Sequence, residues 1–124
     1  MSEATILICD DEPSLRELMR ISLPPELSVT EASSASEAIE LAERVRPDVV
    51  LLDVMMPGAS GLTVLEWIRN HPELKNAAVV IISAFASESD QLAALDAGAT
   101  AFLKKPFDPL ELEALVEEML APRR

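Results

Sequence analysis

Five short apolar runs alternate with longer stretches of helical periodicity along the chain: Ile6–Cys9, Leu27–Thr30, Val49–Leu52, Val79–Ile82 and Ala101–Leu103. The third and fourth are uniformly apolar and rich in Val, Ile and Leu, as strands covered on both faces of a parallel sheet are. The second alternates, with Leu27 and Val29 apolar and Ser28 and Thr30 polar, which predicts an edge strand.

The helical stretches carry start and stop signals. Ser34 and Glu37 form an S-x-x-E capping box ahead of Ala38, Leu41, Ala42 and Val45. Asp108, Pro109 and Glu111 give an N-cap, a first-turn proline and a reciprocal acid. The stripe behind them, Leu112, Leu115, Val116, Met119 and Leu120, has the spacing of one buried helix face. Pro13 opens the first helix and Leu15, Leu18 and Met19 point it inward. Leu62, Leu65 and Ile68 mark the third, Ser87 caps the fourth, and Gly98 signals its end. Five βα units in series predict a three-layer, doubly wound (βα)5 α/β fold with a parallel sheet and right-handed crossovers. An edge position for the second strand gives the flavodoxin-like strand order 2-1-3-4-5. Such folds bind ligands at the carboxyl ends of the strands, near the reversal between strands one and three.

That topology gathers the polar residues. Asp10 and Asp11 follow strand one, Asp53 ends strand three, Ser83 ends strand four and Lys105 follows strand five. Two like charges ~4 Å apart repel by about 4 kcal/mol at an effective dielectric of ~20. A divalent cation removes that cost, and an all-oxygen ligand set favours Mg²⁺. Lys105 and Ser83 could then hold phosphoryl oxygens, so the rim suits stabilising a phosphoryl group in transfer. Asp53, alone at a strand end before the Met56-Pro57-Gly58 turn, fits the nucleophile; Asp10 and Asp11 fit metal ligands. Taken singly, each of these residues is more ordinary: a helix-cap pair, a turn former, a loop cap, a surface lysine. Their recurrence at successive strand ends of one sheet is what argues against that.

Composition narrows the partners. The 124 residues suit one domain, and with 49% apolar residues a core forms without disulfides. The one cysteine, Cys9, lies in an apolar run and fits a buried strand position in a reducing, cytoplasmic setting. Met1 to Glu3 lack the basic charge and apolar stretch of a signal peptide, so none is expected, and no apolar run has membrane-spanning length. A net charge of −12 opposes binding to nucleic acid, which leaves proteins as partners.

The sequence resembles the receiver domain of two-component response regulators over essentially residues 1–124, read as a single domain. The resemblance is carried by Ile6-Leu7-Ile8-Cys9-Asp10-Asp11-Glu12, Val50-Leu51-Leu52-Asp53-Val54-Met55-Met56-Pro57-Gly58, Gly61, Ile81-Ile82-Ser83-Ala84, Ala97-Gly98-Ala99 and Lys104-Lys105-Pro106-Phe107. It implies that Asp53 accepts a phosphoryl group from a histidine kinase or histidine phosphotransfer protein with Mg²⁺. It further implies that Asp11 binds the metal directly, Asp10 mainly through water, and the Met55 carbonyl completes the set. Ser83 and Lys105 would hold phosphoryl oxygens, and Ser83 with Phe102 would form the switch. A downstream protein would then read the face of the fourth helix, fifth strand and fifth helix. Met55 and Phe85, two residues past the phosphoacceptor and the hydroxyl residue, flank the path of hydrolytic water and would tune the lifetime. A cis peptide is expected between Lys105 and Pro106. Ser83 stands where threonine is also common, and Ser60 where an acid is frequent.

Two other functions compete. A Mg²⁺-dependent phosphohydrolase with an aspartyl nucleophile uses similar parts, but its general acid would stand at Met55. A phosphorylation-independent interaction module would have lost an Asp or the Lys, and none is lost. His71 is expected to be a solvent-exposed turn residue far from the rim, and Trp67 a packing residue.

Overall fold

A computed structural model of the chain describes residues 4–56 and 60–121; Pro57 and Gly58 of the expected turn lie outside them. The strands are β1 (Thr5–Cys9), β2 (Ser28–Ala32), β3 (Val49–Asp53), β4 (Ala78–Ser83) and β5 (Ala101–Lys104). Alternating with them are the helices α1 (Pro13–Ile21), α2 (Ala35–Val45), α3 (Gly61–Asn70), α4 (Glu88–Asp96) and α5 (Pro109–Leu120). All strand pairs are parallel and the order is β2-β1-β3-β4-β5.

Strand alternation divides the core between the two faces of the sheet. Leu7, Cys9, Val50, Leu52, Val79 and Ile81 point to one face, against Ala38 and Ala42 of α2, Val64, Leu65 and Ile68 of α3, and Ala94 of α4. Ile6, Ile8, Leu51, Val80 and Ile82 point to the other, against Met19 of α1 and Leu112, Val116 and Leu120 of α5. Every residue of β3 and β4 is buried, so neither strand shows alternation in its sequence. Burying each large apolar side chain contributes about 1.5–3 kcal/mol. Cys9 is fully buried, and burial, reinforced by the charges of Asp10 and Glu37, pushes its thiol far above the ordinary range. It is a core residue and not a nucleophile. No helix among the described residues is long and apolar enough to cross a membrane.

Three local expectations are corrected. β2 runs to Ala32 rather than ending at Thr30, and Leu27 precedes it. Glu31 is tolerated in the strand because Arg16 and Arg20 meet its carboxylate. At the start of α2, Ser34 accepts from Glu37 N as a capping box requires, but the Glu37 carboxylate reaches back to Ser33, N–H and hydroxyl both. His71 is no solvent-exposed turn residue: its side chain is 13% exposed. Its Nδ1 accepts from Glu73 N, its Nε2 lies 3.1 Å from Glu43 Oε1, and its ring sits 5.2 Å from Trp67. With Nδ1 accepting, Nε2 carries the proton and donates to Glu43.

Helix α4 is the least embedded of the five. Only Ala94 is buried, while Leu92 and Leu95 face solvent. It is fixed by its ends. A complete capping box joins Ser87 and Asp90, and the chain leaves through Gly98 at φ 110°, a left-handed conformation natural to glycine. Arg69 of α3 seals that exit, donating from Nε to the Gly98 carbonyl at 2.8 Å.

Candidate functional site

The carboxyl ends of β1, β3, β4 and β5 bring Asp10, Asp11, Asp53, Ser83 and Lys105 to one rim. Asp53 is the last residue of β3 and only 3% exposed; Asp10, just past β1, is fully buried; Asp11 beside it faces solvent. One carboxylate oxygen from each of Asp10, Asp11 and Asp53 lies within 4.8 Å of the other two. Lys105, beyond β5, turns its ammonium between two of them, 3.0 Å from Asp10 Oδ2 and 3.5 Å from Asp53 Oδ1. The Lys105–Pro106 peptide is cis. Ser83, at the end of β4, is 2% exposed, and its Oγ accepts from Phe85 N at 3.0 Å. That bond uses a lone pair and leaves the hydroxyl proton free to donate.

Asp10 and Asp11 are adjacent yet differently engaged. Asp10 Oδ1 accepts from Glu12 N at 2.9 Å while Oδ2 accepts from Lys105. Asp11, outside this network, is the more available direct ligand. Asp53 Oδ1 accepts from Met55 N at 3.2 Å. Burial raises the Asp53 pKa, and the neighbouring Asp10 charge adds to the rise; the Met55 N–H and Lys105 oppose it. One ammonium facing three carboxylates leaves the rim strongly negative. Clustered hard oxygen donors with that surplus charge fit a Mg²⁺-sized cation.

The open cleft above this cluster has a volume of about 540 Å³, and its lining includes Glu12, Pro13, Leu15 and Ala84 as well as the acids and Lys105. Met55 and Phe85, 57% and 60% exposed, stand in the same lining, on the rim flanking Asp53. Phe102 is partly buried on the α2–α4 side of the sheet. Beside it lies a cavity of about 90 Å³ lined also by Ser83, Phe85, Val54, Leu62, Ala93 and Ala94. Ser60, at the position noted as unusual, caps α3 by accepting from Leu62 N.

Sequence reasoning missed Arg16. Its Nη1 donates to the Asp10 carbonyl at 2.7 Å and its Nε to Glu31 Oε1 at 3.1 Å. The one available signal was a glutamate in an otherwise apolar and neutral edge strand, which asks for a cationic partner.

A profile of the response regulator receiver domain matches residues 6–117. An uncharacterized 14.6 kDa protein of Leptolyngbya boryana is 38% identical over 95% of this chain and 91% of its own length. The nitrate/nitrite response regulator protein NarL of Escherichia coli is 40% identical over 88% of this chain, which spans about half (51%) of that relative. Among solved structures, the chemotaxis response regulator CheY4 of Vibrio cholerae superposes with a TM-score of 0.89 at 28% identity, covering 96% of this chain and 100% of that one. With the family profile matched over residues 6–117 and relatives of 38% and 40% identity across most of the chain, the chain belongs to the receiver domain family of two-component response regulators.

Proposed function

We propose that this receiver domain is a phosphorylation-activated switch in which Asp53 takes a phosphoryl group from a histidine kinase or histidine phosphotransfer protein. The observation that carries the proposal is the buried Asp53 carboxylate, within reach of Lys105 and of two further carboxylates. An Asp53 oxygen attacks phosphorus in line with the P–N bond of the donor's phosphohistidine; that bond breaks and its electron pair stays with the imidazole nitrogen. Asp10, Asp11, Asp53 and the Met55 carbonyl would hold Mg²⁺, which would supply neutralisation of the charge on the transferring group. Lys105 pairs with one phosphoryl oxygen and the Ser83 proton with another. Such chemistry is limited to self-phosphorylation and self-dephosphorylation, and does not make the domain an enzyme.

Movement of Ser83 toward the new oxygens would open space for Phe102, which already borders a small cavity. The changed face, α4, β5 and α5, would meet a downstream protein target; the exposed Leu92 and Leu95 on α4 offer apolar contact there. Incubation with acetyl phosphate tests the core of the proposal: intact-mass measurement should find one added phosphoryl group with Mg²⁺ and none in EDTA.

Signal lifetime follows from the mouth of the cleft. Met55 and Phe85 flank Asp53 and neither can orient a water: thioether sulfur is a weak acceptor and a phenyl ring has no polar atom. Slow self-dephosphorylation is therefore expected. Met55→Asn and Phe85→Glu should each speed decay of the phosphorylated form, by roughly tenfold for each ~1.4 kcal/mol that better water placement removes from the barrier. Unchanged decay in both variants would mean that the two side chains only shield the rim.

A further inference from the structure

The backbone of Asp10 is held on both sides by the edge strand. Its N–H donates to the Ala32 carbonyl at 3.1 Å. Its own carbonyl accepts from Arg16, whose guanidinium is shared with Glu31. The second Glu31 oxygen is 3.1 Å from Arg20 Nε, so the carboxylate that orients Arg16 is itself braced. Arg16 and Glu31 are 17% and 33% exposed at their side chains, which protects the pair from full solvent screening. Glu31 and Ala32 are the last two residues of β2, so the end of that strand reaches the acidic rim by two routes, one through backbone and one through Arg16.

The Asp10 carbonyl lies in the peptide plane that leads into Asp11. Fixing that oxygen fixes the direction in which the chain presents Asp11, while Asp10 Oδ1 is fixed by Glu12 N in the same turn. A planar guanidinium can serve Glu31 and the carbonyl together; the single ammonium of lysine cannot match both arms of that fork.

We propose that Arg16, oriented by Glu31, is a positioning residue for the cation ligands Asp10 and Asp11, and that edge strand β2 thereby sets the divalent-cation affinity of the site. The inference rests on the assignment of that cluster as the Mg²⁺ site. Geometry and charge act in opposite directions here. As a positive charge on the Asp10 carbonyl, close to the acidic rim, Arg16 would weaken cation binding and its removal would strengthen it. As the brace of the β1–α1 turn, it strengthens binding and its removal weakens it.

Titration of the full chain with Mg²⁺ by calorimetry, without any phosphoryl donor, separates the two in wild type, Arg16→Ala and Arg16→Lys. Partners that orient metal ligands are typically worth 10–100-fold in affinity, so Arg16→Ala is expected to raise the Mg²⁺ Kd roughly tenfold. Arg16→Lys, with the charge kept and one arm lost, is expected to raise it by a smaller factor. It carries the test alone if the alanine variant does not fold. Melting in EDTA accompanies each titration, and Kd is measured well below that transition, so lost stability does not imitate lost affinity. An unchanged or tighter Kd in Arg16→Ala, or a wild-type Kd in Arg16→Lys, would overturn the proposal and leave the phosphoacceptor assignment standing. Absence of Mg²⁺ binding by the wild type would overturn both.

Discussion

Asp53→Asn is expected to abolish phosphoryl labelling by acetyl phosphate while leaving a folded domain that is more stable than the wild type at neutral pH. The first effect follows from chemistry: the amide that replaces the carboxylate offers no anionic oxygen to attack phosphorus. The second follows from burial. Desolvation raises the Asp53 pKa in the fold above its value in the unfolded chain, so the ionised form is disfavoured by folding. Below the unfolded value the carboxyl is protonated in both states and nothing is lost. As pH rises through the carboxylate range toward the raised folded value, the wild type loses stability that the asparagine variant keeps. The gap in Tm should therefore be absent in acid, open as pH rises and stay constant above. It should narrow when Mg²⁺ is added, because a cation bound by the folded wild type stabilises it by mass action. Intact mass checks the labelling, and melting curves in EDTA across pH check the stability. Labelling of the variant equal to that of the wild type would remove Asp53 from the mechanism. A variant less stable than the wild type at neutral pH would contradict the account of its burial.

Gly61→Ala is expected to be the most damaging single methyl group in the vicinity of the site. A Cβ at Gly61 would stand 2.3 Å from the Asp53 carbonyl oxygen and 2.9 Å from Val54 Cα. Both are backbone atoms, so no side chain can swing aside. The Gly61 N–H also donates to the Val54 carbonyl at 2.8 Å, which fixes the start of α3 against the end of β3. Overpacking of this kind costs about 1–3 kcal/mol, and the strain falls on the segment that carries Asp53. At roughly 4 °C per kcal/mol for a domain of this size, Tm should drop by about 4–12 °C. Labelling at limiting Mg²⁺ should slow as well, since a shift of the Asp53 backbone misaligns attack. A thermal scan with a labelling time course on the same sample would check both, and an unaltered Tm would mean that the α3 start yields at no cost.

The layers and strand order were legible because the signal was redundant. Uniform apolar runs at β3 and β4, capping residues at Ser34, Ser87 and Asp108, and Gly98 at a helix exit all pointed to one topology. The rim was legible for a different reason: in a parallel sheet every strand ends on the same side, so residues distant in sequence are sorted by position in their strand alone. Side-chain pairings across elements escaped. Glu31 in β2 reads as a loop residue until the two α1 arginines that meet it are known. The partial burial of His71 depends on Trp67, one helical turn before it, and on Glu43, 28 residues away, which no local pattern connects with it. Glu37 chooses Ser33 over Ser34 through the course of the backbone before the helix, which sequence spacing does not encode.

The division of the core between two faces has a consequence for how the chain is made. The face against α2, α3 and α4 is built almost wholly from residues up to Ala94. On the other face, Ile6 and Ile8 are sealed by Leu112, Val116 and Leu120 of α5. During ribosomal synthesis the first face can condense before the residues that follow Ala94 have been translated. On the second, α1 alone can lie against the sheet until the final turns of α5 have left the exit tunnel. A nascent chain stalled before α5 therefore exposes the apolar part of the sheet that α5 would cover, the kind of surface on which chaperones act and aggregates begin.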